Sequence, residues 1–183
     1  FNMKKGTSYT AAVNFTDVDN NWTAAEFNNT NKDNGALDAH WGAEKTYDYF
    51  STKHARNSYD NAGAIIKSYV HFDNAYDNAY WNGSVMTYGD GSGTYFDILT
   101  SLDVAAHEIG HAVCEKTANL AYQRESGAMN EGFSDIWGAC VEYFAAPTKS
   151  TWLIGEDIER RSGKTALRSM SNPKLEGQPD TYG

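Results

Sequence analysis

The chain is poor in the features that would make it a stapled scaffold, a nucleic-acid binder or a membrane span. Only two of its 183 residues are cysteine and three are proline. Two cysteines cannot hold together a small disulfide framework, so the fold must rest on apolar burial; the length suffices for one sizeable core or two small lobes. Lysine and arginine number 15 against 24 aspartate and glutamate, and the formal net charge of −9 disfavours a nucleic-acid partner while suiting cation binding and a soluble surface. No apolar run is long enough to cross a bilayer, so no membrane partner is expected. No signal peptide is visible, so the expectation for an exported protein is a leader already removed. There is no internal repeat or low-complexity tract.

The most informative stretch is Ala106-His107-Glu108-Ile109-Gly110-His111-Ala112-Val113, a His-Glu-x-x-His pattern inside a segment that reads as a helix. At about 100° per residue, positions i and i+4 lie one above the other, so His107 and His111 can reach one metal ion at ~2.0–2.1 Å. Glu108 then stands beside the metal, placed to hold a water and take its proton. Farther on, Asn130-Glu131-Gly132-Phe133-Ser134-Asp135 sets Glu131 and Asp135 four residues apart on a second helical face. Glu131 is the expected third ligand. Asp135 is placed to accept the free ring N–H of a liganding histidine, and Asn130 stands with it in this supporting shell. Three protein ligands and one open position describe a catalytic zinc site rather than a structural one.

His-Glu-Ile-Gly-His, nineteen intervening residues and Glu-Gly-Phe-Ser-Asp together resemble the thermolysin-like neutral metallopeptidases, the gluzincins, whose zinc is held by His, His and Glu. The metzincin pattern needs Gly at 114 and His at 117, where this chain has Cys114 and Thr117. The likeness continues through Asn78-Ala79-Tyr80-Trp81-Asn82-Gly83-Ser84 and Tyr88-Gly89-Asp90-Gly91, similar to that family's active-site edge strand and following turn. It implies that Asn78 and Ala79 pair with the backbone of an extended peptide substrate, a known recognition mode for a free sheet edge. It also implies that Tyr122 donates to the oxyanion and that Arg168 binds a substrate carbonyl. For calcium the resemblance points to Asp103, Glu142 and Glu156, with the backbone carbonyl of Leu153. Thr151 and Leu153 stand where a double-calcium member would carry acids, so one ion is expected. A weaker second calcium loop is implied at Asp17, Asp19 and Asn21, although Asp/Asn clusters are also ordinary turn chemistry.

The implied architecture is α+β: a zincin-type lobe with a mostly antiparallel sheet, the His-Glu-x-x-His helix and a second ligand helix. Residues 1–147 are expected to form the catalytic lobe. Residues 148–183 are expected to be loops around calcium, leading through Asp180-Thr181-Tyr182-Gly183 toward a helical lobe on another chain or cleaved away. Ala36, Leu37, Ala39, Ala43, Tyr47 and Phe50 recur at near-helical spacing and predict a helix over 35–52. Strands are expected over 65–72 and 84–88, and the loop between the zinc helices is expected to contain Glu125-Ser126-Gly127. Pro173 and Pro179 should mark turns. Cys114 and Cys140 should point apart as buried free thiols. His40, His54 and His71 match none of the family's acid positions, and His71 is expected to satisfy a strand or core contact.

Three functions follow. The first is a secreted zinc endopeptidase cutting internal peptide bonds, on the amine side of bulky hydrophobic residues, with an inhibitory propeptide as a further partner. The second is an inactive zinc- and calcium-binding remnant of a processed peptidase. The third is a zinc aminopeptidase, whose Gly-x-Met-Glu-Asn segment does not occur in this chain.

Overall fold

A computed structural model describes residues 1–181. After the one-turn helix α1, Ala24–Phe27, the helical periodicity of the first third becomes α2, Asn34–His54. Its buried positions Ala39, Ala43, Thr46 and Phe50 follow the i, i+4, i+7, i+11 rhythm of one helical face. The helix stops at Ala55, which takes the left-handed conformation at φ 51 and donates its N–H to the Phe50 carbonyl.

The main sheet contains β1, Asn2–Gly6, β2, Ser68–Phe72, β3, Ala79–Trp81, and β4, Met86–Gly89, in the order β1-β2-β4-β3. The α+β class holds, but the sheet is mixed rather than mostly antiparallel. β1/β2 and β2/β4 run parallel, and only β3/β4 is antiparallel. The long connection from β1 to β2 carries α2, the kind of crossover a parallel pair requires. β3 leaves β2, passes to the outside and returns as β4 through a tight hairpin, so β2 and β4 share a direction. That turn is closed by Asn82, whose side-chain oxygen accepts the N–H groups of Ser84 and Val85, and by Gly83 at φ 91. β3 is thereby left at the sheet edge.

The two remaining helices are α3, Leu102–Glu115, and α4, Arg124–Ala145. α3 is buried at all but two of its positions, His111 and Glu115. One side supports the core of Val70, Met86, Tyr88, Leu99, Val104, Ile109 and Ile158, and the other meets α4. The two helices touch at two glycines. A Cβ on Gly110 would lie 3.1 Å from Ser134 Cα, and one on Gly138 would lie 2.9 Å from the Asp103 carbonyl oxygen. Backbone contact this close brings the imidazoles of α3 within reach of the carboxylates of α4.

Glu125, Ser126 and Gly127, expected in a loop, instead form the first turn of α4. Ser126 Oγ donates to the Ala121 and Gln123 carbonyls and so ties the helix start to the preceding loop, while Glu125 complements the positive end of the helix. Downstream, β5, Leu153–Ile154, pairs antiparallel with β6, Arg168–Ser169, and Pro173 opens a 3₁₀ turn through Glu176. Tyr182 and Gly183, the end of the expected lead into a further lobe, lie outside the described residues. Both cysteines are free as expected, but only Cys114 is buried. Cys140 is partly exposed, because it lines a groove of about 770 Å³ on the far side of α4 with Tyr49, Tyr143 and Trp152. His71 is a core contact: its Nδ1–H donates to Asp90 at 2.6 Å and its Nε2 lies 3.2 Å from Asp33.

Candidate active site

His107 and His111 project from one face of α3 with their rings 4.6 Å apart, and Glu131 meets them from α4. One Glu131 oxygen lies 3.2 Å from His107 Nε2 and the other 3.6 Å from His111 Nε2. Donor atoms of a tetrahedral site with bonds of ~2.0–2.1 Å are about 3.3 Å apart, so these separations fit a zinc ion without rearranging the helices. The far nitrogens are both occupied. His107 Nδ1–H donates to Asp135 at 2.7 Å and His111 Nδ1–H to Asn130 Oδ1 at 2.6 Å, leaving each Nε2 turned toward the shared centre. Ser134 Oγ stands 3.1 Å from His111 Nδ1 as well. The sequence reading missed it, although its i+4 spacing from Asn130 puts it on the same helical face.

The electrostatics are those of a cation site. Burial opposes charge on His107, but hydrogen bonds to Asp135 and Glu131 and the nearby Glu108 outweigh it and push its pKa up to about 9. Burial and the neighbouring His107 push His111 down. Glu108 has its pKa pushed up to about 7, first by burial, with His107 lowering it and Glu131 raising it. Glu131 and Asp135 resist their burial because His107 holds both below the usual carboxylate range. A buried carboxylate that titrates near neutrality is suited to taking and giving a proton.

These groups open into a cavity of about 560 Å³ whose walls include Asn78, Ala79, Glu108, Tyr122 and Arg168. Tyr122 is 68% exposed at its mouth, and its hydroxyl donates to Glu131. Arg168 is engaged elsewhere than expected from a purely substrate-facing group. Its Nε and Nη2 donate to the two oxygens of Asp135 at 2.6 and 2.7 Å, so it also braces the partner of His107. Trp81, unforeseen in the sequence, ties β3 to α3 through a 2.6 Å ring N–H bond to Glu115.

A sequence model described as the thermolysin metallopeptidase catalytic domain matches residues 1–115, and one described as the alpha-helical domain of the same metallopeptidase matches residues 118–183. The chain belongs to the thermolysin metallopeptidase family. It is 54% identical over 170 residues to a bacillolysin of Brevibacillus brevis, covering 91% of this chain and 29% of that protein. It is 48% identical over 168 residues to a thermolysin of Bacillus sp. (strain EA1), covering 91% of this chain and 30% of that one. Among solved structures it resembles the precursor of protealysin, a metalloproteinase from Serratia proteamaculans, with a TM-score of 0.76 and 34% identity, over 93% of this chain and 52% of that chain. The chain thus spans about three tenths of the length of these curated relatives.

Two further groups can hold cations in this thermolysin-family chain. Asp103, Glu142 and Glu156 bring ligand oxygens within 4.8 Å of one another. Both Glu156 oxygens and Glu142 Oε2 are buried without a hydrogen-bond partner among the described residues, and Glu142 Oε1 meets the Lys149 ammonium at 3.0 Å. Burial, then the charge of Asp103, pushes Glu156 up to about 7. Such crowding costs free energy unless a cation enters. Leu153 lies in β5, where the Trp152 and Ile154 carbonyls accept from Met170 and Leu167, so its own carbonyl faces the opposite edge of the strand. The second group gains a member that the sequence did not announce. Asp17 and Asp19 are joined by Glu26, nine residues beyond Asp17, whereas Asn21 enters through its backbone N–H, which donates to both aspartates. No periodic signal links Glu26 to the turn; it arrives because Thr23 and Glu26 form a capping box at the start of α1.

Proposed function

We propose that the protein is a secreted zinc endopeptidase that hydrolyses internal peptide bonds, with His107, His111 and Glu131 holding the metal. The observation that carries this reading is the convergence of two imidazole Nε2 atoms and one carboxylate at 3.2 and 3.6 Å, with Glu108 buried beside them. Zinc, when bound, supplies Lewis-acid polarisation of a carbonyl and acidifies water at the site. Glu108 takes the proton of the attacking water and passes it toward the departing amine. The Tyr122 hydroxyl, freed from Glu131, donates to the developing oxyanion; one such donor is worth roughly 10²–10³ in rate. Arg168 keeps Asp135 charged and directed at His107 while presenting the rest of its guanidinium to the cavity as a donor for a substrate carbonyl. Along the outer edge of β3, Asn78 and Ala79 receive the substrate backbone as an added strand.

The preferred substrate carries a bulky hydrophobic residue on the amine side of the cut bond. The relevant protein-level partners are a peptide or protein substrate, a further helical lobe and an inhibitory propeptide. Calcium occupies the Asp103, Glu142 and Glu156 cluster, where the buried Glu156 oxygens and Glu142 Oε2, none with a hydrogen-bond partner, support it, and more weakly the Asp17, Asp19 and Glu26 group. Zinc-loaded protein should cleave a peptide blocked at both ends and should not release a free N-terminal residue from an aminoacyl substrate. Zinc binding without cleavage of the blocked peptide would favour the inactive metal-binding remnant, and release from the aminoacyl substrate alone would favour an aminopeptidase.

A further inference from the structure

Lys149 lies just past the C-terminal end of α4, and its ammonium stands 3.0 Å from Glu142 Oε1. Glu142 is wholly buried and Lys149 partly so, with side-chain exposures of 0% and 29%. The same ammonium hydrogen-bonds Asp157, so Lys149 bridges Glu142 and Asp157. No sequence pattern singles this lysine out. It follows Pro147 and Thr148 in a turn whose shape is set by a Lys149 N–H to Ala146 carbonyl bond of 3.0 Å.

The charges can be counted. When all are ionised, as a bound cation would hold them, Asp103, Glu142, Glu156 and Asp157 contribute four negative charges and Lys149 one positive, a net of −3. One divalent cation brings the group to −1, and a second would leave it positive. Without Lys149 the same four carboxylates carry −4, and one divalent cation still leaves −2. A surface ion pair would contribute little, but a pair with a wholly buried carboxylate acts in a medium that screens poorly.

We propose that Lys149 is a tethered counter-cation for the Asp103, Glu142 and Glu156 site, bridged to Asp157 and neutralising Glu142 so that the fold tolerates loss of the calcium ion held there. This rests on the calcium reading above and adds to it a residue that offsets calcium dependence. Lys149 stabilises the calcium-free protein and, by repulsion, weakens calcium binding. Both effects come from one positive charge fixed to Glu142, which is itself a ligand of the ion.

The test compares the wild type with Lys149→Met and Lys149→Arg, using calcium titration calorimetry and thermal melting in calcium and in chelator. Lys149→Met should bind calcium at least about tenfold more tightly, a factor that one unit charge several ångströms from a divalent ion reaches even at water-like screening. It should also melt at a lower temperature than the wild type in chelator, with the difference reduced in saturating calcium. Lys149→Arg, which keeps the charge, should behave as the wild type. Calcium binding by Lys149→Met equal to or weaker than that of the wild type would overturn the proposal, as would Lys149→Arg behaving like Lys149→Met. Absence of saturable calcium binding by the wild type would overturn the calcium reading itself and this inference with it.

Discussion

Replacing Glu108 with glutamine should abolish peptide hydrolysis while leaving one zinc ion bound per chain. Glu108 donates no atom to the His107, His111 and Glu131 cluster, so the ligand set survives the change. The carboxylate is buried at 6% exposure, and burial, together with the like charge of Glu131, opposes its ionisation. The neutral amide, nearly identical in shape, therefore costs the fold little. What is lost is the group that can accept and return a proton near neutrality. A positioned general base is worth roughly 10²–10⁴ in rate, so the residual turnover should fall by at least that factor. Metal analysis and blocked-peptide cleavage on the same preparation give the answer. If zinc leaves with the carboxylate, Glu108 is a ligand and its assigned role is wrong.

The second large effect is expected at Glu131. Its two oxygens come from α4 to within 3.2 Å of His107 Nε2 and 3.6 Å of His111 Nε2. Glu131→Ala removes one of three ligands and leaves the paired imidazoles, which cannot by themselves close a catalytic zinc site. A useful scale is Asp135→Asn, which spares the ligands but weakens the hold on His107 and Arg168. Loss of such a supporting hydrogen bond costs roughly 10–100-fold in metal affinity. Competition against a chromophoric chelator should show Glu131→Ala weaker than Asp135→Asn, and both weaker than the wild type. Equal affinities for Glu131→Ala and the wild type would remove Glu131 from the metal site.

The residues that converge between α3 and α4 were legible in the sequence because helical geometry is local. Four residues make one turn, so His107 and His111, or Glu131 and Asp135, declare a shared face without knowledge of the rest of the chain. The pairing of Asp135 with His107 was legible at one remove, since a liganding imidazole requires an acceptor on its far nitrogen. The pairing of Asp135 with Arg168 was not, because it depends on the β5 and β6 ladder that brings residue 168 back to α4. Strand direction escaped for the same reason. Nothing local in Met86–Gly89 says that it lies beside β2 rather than β3 alone, and that placement makes the sheet mixed. The position of Glu26 depends on how a helix cap folds against a turn, and that of Lys149 on where the chain leaves α4. The Thr23-x-x-Glu26 spacing announces the helix cap but not its approach to Asp17 and Asp19, and no spacing announces Lys149.

The most direct test of the account is anomalous diffraction at the zinc edge from crystals of the metal-loaded protein. The expected result is one strong peak about 2.0–2.1 Å from His107 Nε2, His111 Nε2 and a Glu131 oxygen, with Glu108 close by but not ligating. A peak elsewhere, or zinc-loaded protein with no peak between α3 and α4, would contradict it.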